Sequence, residues 1–300
     1  MNLSWISSES ASCCYATDAK LQGRPLSNPA LDDALESPAQ DLAAALAEDG
    51  VPSRQFFYHL IPLAATNPGL FELAEVALTK TIGREKAESL AFKYRGLLTD
   101  LRRAFETQSA GASPERAAQA RELQQAWPSS GRLYLARIET ACEPGLIGGH
   151  ATVVLVDAGA VGGGDAYLPY NTVCFDLSAN PSVELPEAVR LAWLLSTLNL
   201  DLPKYSEPLR RAGDRTIGPL AMVPAVLSAR KEGDPAACEA DALSRAIRTW
   251  FPQFTDERQL AVNLRDWWHV YRDSQITWPH ALKALDQLLG DSPLPLAWDA

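Results

Sequence analysis

Four histidines and five cysteines hold the residue types most able to do chemistry in this sequence. His150 follows Gly148-Gly149 and stands before a β-branched run, with Cys142 upstream, and Cys174 and Asp176 downstream on an alternating strand pattern. A thiol within hydrogen-bond reach of an imidazole loses its proton readily and becomes a nucleophile. Cys142 or Cys174 with His150 would therefore suit a hydrolase, and Asp176 would add a carboxylate. The acids around the same segment, Asp157, Asp165, Asp176, Glu184 and Glu187, offer a second chemistry, a metal held with His150. Against the first stands the usual behaviour of cysteine as a small buried hydrophobe, and against the second the general preference of loop ends and helix first turns for acids. Glu187, directly after Pro186, is also explained as a first-turn carboxylate at a helix start.

The remaining motifs point away from cofactors. His59, His150, His269 and His280 never form the His-x-x-x-His pair that sets two ligands on one helical face, so neither a metal nor another cofactor is expected. Gly159-Ala-Val-Gly-Gly-Gly-Asp165 resembles a phosphate-binding loop in composition only. Tyr167, Pro169 and another strand pattern follow it where a helix should begin, which predicts a hairpin loop. Asp266-Trp-Trp-His-Val-Tyr-Arg-Asp273 places Trp267, Trp268 and Tyr271 with Leu260 and Leu264 at helical spacing. That reads as core packing with His269 at its edge.

The elements that would position these residues are mostly helices. Apolar periodicity and caps predict helices over residues 39–50, 69–81, 84–106 and 113–127. After a nearly all-apolar helix over 187–199, they predict others over 216–231, 235–250, 256–272 and 277–289. Between the two groups, Arg132–Thr140, Ala151–Asp157 and Asn171–Leu177 alternate or are rich in β-branched residues and predict strands. The expected fold is α+β, mainly helical, with a small antiparallel three-stranded sheet in the middle of the chain. Its parts would be a loosely ordered arm over 1–37, a helical bundle over 38–128, and the sheet plus C-terminal helices over 129–300, packed with the bundle as one compact unit. The arm should tolerate deletion and Trp5 replacement, whereas Trp193 should lie in the main core.

A small sheet followed by a buried helix is similar in layout to the zincin metallopeptidases, whose helix carries His-Glu-x-x-His. The matching stretch here, Ala188–Ser196, has no histidine and no carboxylate. The resemblance therefore implies at most a degenerate fold without metal or activity.

Composition narrows the partners. With 47% hydrophobic and 21% charged residues the chain has the make-up of a globular protein. A net charge of -10 with no basic block longer than a pair disfavours nucleic acid. No apolar run reaches the roughly 20 residues of a membrane span, and the N-terminus lacks the basic start and apolar centre of a secretory signal. Five cysteines make an odd, irregular set that fits a reducing cytoplasm. The expected function is a non-catalytic binding or structural role with another protein as partner.

Overall fold

The computed structural model describes residues 1–66, 69–108, 114–160, 163–177, 185–209, 216–230, 238–252 and 254–290, without the side chain of residue 115. It is a mainly helical α+β fold with one four-stranded sheet. The strands are β1 (Asn2–Ser7), β2 (His150–Val156), β3 (Gly164–Tyr167) and β4 (Thr172–Asp176), in the order β1-β2-β4-β3. β1 and β4 both run parallel to β2, and β3 alone is antiparallel, on β4. The sheet is thus mixed rather than antiparallel.

Strand alternation divides the core. Val153, Leu155, Val173 and Phe175 face one apolar cluster, and Val154, Val156 and Cys174 face another. The first is covered by α6 (Pro114–Ala141), α7 (Glu187–Thr197), α9 (Ile217–Arg230), α10 (Ala240–Trp250), α11 (Glu257–Asp273) and α12 (Trp278–Gly290). The second is covered by α1 (Glu9–Leu21), α2 (Pro29–Glu48), α3 (Ser53–Ala64), α4 (Leu70–Ile82) and α5 (Arg84–Gln108). A short α8 (Pro203–Ser206) follows α7.

Three expectations are corrected. Residues 1–37 are not a loose arm: they form β1, α1 and the start of α2, and every α1 residue from Ala11 to Ala19 is buried. This helix shows no apolar stripe because it is built largely of small residues and is enclosed on most sides. Its hydroxyls bond back along the helix, Ser12 Oγ to the Ser8 carbonyl at 2.7 Å and Thr17 Oγ1 to the Cys13 carbonyl at 2.9 Å. Buried hydroxyls satisfied in this way need no water.

Arg132–Thr140 is helix, not strand. α6 continues through Pro128, and so crosses the expected boundary at residue 128. Its buried residues Leu123, Trp127, Leu135 and Ile138 follow helical spacing, while Leu133 is exposed, so tertiary burial selects the longer period. Gly131 allows the turn to close on Trp127, since a Cβ there would stand 2.3 Å from the indole.

The glycine loop, finally, is not a hairpin between paired neighbours. It carries the chain from β2 past the position of β4 to β3 at the sheet edge. Residues 161–162 of that loop lie outside the described residues.

Candidate functional site

The four residues singled out for chemistry do not form one group. His150 is the exposed first residue of β2. Cys174 pairs with Val154, four positions further along, which at roughly 3.3 Å per residue separates them by about 13 Å. Cys174 is fully buried, and burial, followed by the charge of Asp165, pushes its thiol well up. Cys142 lies just beyond α6, where burial again raises the thiol. The charged groups acting on it are Arg272 and Glu143. Neither cysteine has the lowered pKa that a nucleophile requires.

Asp176 ends β4 on the same face as Cys174, and its Oδ2 accepts the Ala160 N–H at 2.6 Å. Burial raises its carboxyl to about 6 against the opposing pull of that bond and of Arg190. Arg190, on the apolar helix α7, bonds the Gly163 and Asp176 carbonyls, pairs with Glu187 and lies 4.1 Å from the Phe175 ring centre. The helix that the zincin layout would equip with metal ligands instead carries an arginine latch onto the end of the sheet. Asp157 pairs with Arg116, and Glu184 lies outside the described residues. Among the described residues no group of three or more His, Cys, Asp or Glu side chains is placed to hold a metal ion.

A different place gathers polar and aromatic groups. Along β3, where the two helical layers meet, lies a cleft of about 690 Å³. All four β3 residues line it.

The wall on the side of the N-terminal helices is ionic. α1 ends at Gly23, whose φ of 68° permits a Schellman turn: Gly23 N–H donates to the Lys20 carbonyl at 2.9 Å and Arg24 N–H to the Ala19 carbonyl at 2.8 Å. The turn folds Arg24 back against α1, leaving its side chain only 10% exposed. Nη1 donates to Tyr15 Oη at 3.1 Å, and Nη2 stands 3.7 Å from both Asp18 Oδ2 and Asp165 Oδ2. Those distances exceed a hydrogen bond, and Nε and Nη2 have no hydrogen-bond partner among the described residues. Burial lifts Asp18 to about 6, while Arg24 and a 2.8 Å bond from Gln22 pull it down. Tyr58 donates to Asp201 Oδ2 at 3.2 Å and packs against Tyr167 at 5.4 Å.

The opposite wall is aromatic. Trp193 stacks on Trp250 at 4.9 Å and 19°, and Phe251 meets Trp193 edge-on at 5.2 Å. Trp193 Nε1 donates to the Pro219 carbonyl at 2.9 Å, so the indole is both buried and anchored. Gly164 lets α7 close on the strand: a Cβ there would stand 2.4 Å from Leu194 Cδ1.

Of the ionic wall the sequence singles out Asp165 alone, as one of the acids around the sheet, and not Asp18 or Arg24, although Gly23 after Lys20-Leu21-Gln22 is a readable helix stop that points to Arg24. The Asp266–Asp273 aromatics do pack in the core, with His269 exposed. Set against models of known families, curated proteins and solved structures, the chain matches none of them. No helix among the described residues is long and apolar enough to cross a membrane.

Proposed function

We propose that the chain acts by binding rather than catalysis, that its ligand enters the cleft beside β3, and that it does so in the cytoplasm. The observation that carries this reading is the pairing of an ionic wall, Asp18, Arg24 and Asp165, with an aromatic wall, Trp193, Trp250 and Phe251, across about 690 Å³. A concave, largely apolar site with a few convergent polar groups is the usual form of a binding pocket. The cytoplasmic part rests on five unpaired cysteines.

Ligand-observed NMR with indole, phenylacetate and phenethylamine tests the site. Binding of at least one probe to the wild type, lost in Leu209→Trp, which enlarges a side chain of the cleft lining, is the expected result. Silence of all three probes, or binding unchanged by Leu209→Trp, overturns the reading.

A further inference from the structure

β3 is the edge strand of the sheet, and its ladder with β4 fixes which main-chain groups point outward. Asp176 N–H donates to the Gly163 carbonyl at 3.3 Å, and these two residues are opposite each other in the register. In an antiparallel pair, residues that bond the partner alternate with residues that face away. Asp165 and Tyr167 therefore bond β4, while Gly164 and Ala166 turn their N–H and C=O groups to the free edge. Both residues line the cleft, and no strand or turn bond among the described residues reaches those outward groups. Main-chain groups on an open strand edge are a template for pairing, and two outward sets one strand repeat apart match the main chain of another strand.

We infer that the ligand of the cleft is an extended peptide that joins the sheet as a fifth strand beside β3. Strand addition there presupposes that the cleft is the binding site. Side chains of an added strand alternate between the two walls. On the side of the C-terminal helices the β3 residues are only Gly164, over which Leu194 packs, and Ala166, and the cleft lining there includes Trp193, Leu194 and Phe251, which suit apolar side chains of an added strand. On the other side Asp165 is half exposed, and the lining holds three aspartates, Asp18, Asp165 and Asp201, against two arginines, Arg24 and Arg54. The partner is a protein segment with apolar residues at alternate positions and a basic residue between them.

Octapeptides selected from a random phage-displayed library on the immobilised full chain, then resynthesised with one N-methylated amide at a time, test this. The expected result is a selected pattern of alternating apolar positions with a basic residue between them. N-methylation at alternate amides should weaken binding by about tenfold or more, with the intervening amides tolerant. Ala166→Pro removes an outward donor, leaves the β4 ladder intact and should weaken the same peptides while indole binding survives. Selected peptides without a two-residue period in their N-methyl sensitivity would overturn strand addition. Failure to select any peptide while indole, phenylacetate or phenethylamine occupies the cleft would also overturn it, and would leave the binding site standing. Failure of peptides and small probes alike would remove both readings.

Discussion

The two faces of the sheet are built by different chemistry. Behind Val154, Val156 and Cys174 the layer is close-packed from small and hydroxylated residues of α1, with Asp18 and Arg24 at its end. Behind Val153, Leu155, Val173 and Phe175 it is built from indoles, Trp193 on Trp250 and Trp267 against Trp278. Small residues let helices approach closely but bury little area each, while indoles bury much area each. The cleft lies where these layers meet at an edge strand, and so it has one ionic and one aromatic wall. A site with two chemistries here follows from the packing of its supports.

The comparison breaks most visibly at the N-terminus. Deleting residues 1–24 removes β1 and the central helix α1, and cooperative urea unfolding should be lost altogether. A sharp transition near the wild-type midpoint would mean that the first layer stands without α1. Next in size is Trp193→Ala, which should cost about 3–5 kcal/mol in urea unfolding, as expected for a large buried aromatic. Trp5→Ala, half-buried on β1, should cost about 1–2 kcal/mol. Equal losses would erase the contrast between core and edge.

The ionic wall is probed by pH. Burial raises Asp18 to about 6, so the folded state holds this proton more tightly than the unfolded chain does. The stability it contributes is full below the ordinary carboxylate value of about 4 and is lost as pH rises through 6, a change of up to about 3 kcal/mol. Asp18→Asn should flatten this part of the pH–stability curve, leaving the share of Asp176, which has the same sign. An unchanged curve would place Asp18 in solvent. The smallest effect concerns the thiols: burial raises all five, so each should react slowly with iodoacetamide at pH 7. One rapidly labelled cysteine would reopen nucleophilic chemistry.

The C-terminal layer was legible in the sequence because apolar stripes such as Leu260, Leu264, Trp267 and Tyr271 repeat at the helical period. β2 was legible as a β-branched run and β4 as an alternating one. α1 was not, since a helix buried on most sides and made of Ser, Cys, Thr and Ala has no stripe to read. β1 was hidden because its partner β2 is distant in sequence, and parallel pairing leaves no turn signal between them. The cleft was illegible for the same reason. Arg24, Asp165 and Trp193 are scattered along the chain and meet only through the sheet order.

The most direct measurement is amide hydrogen exchange along β3 by NMR, in the full chain with and without a selected octapeptide. In the free protein the Gly164 and Ala166 amides should exchange faster than those of Asp165 and Tyr167, and the peptide should slow the first two selectively. Uniform protection along β3 in the free protein, or no slowing at Gly164 and Ala166 on binding, would contradict the account.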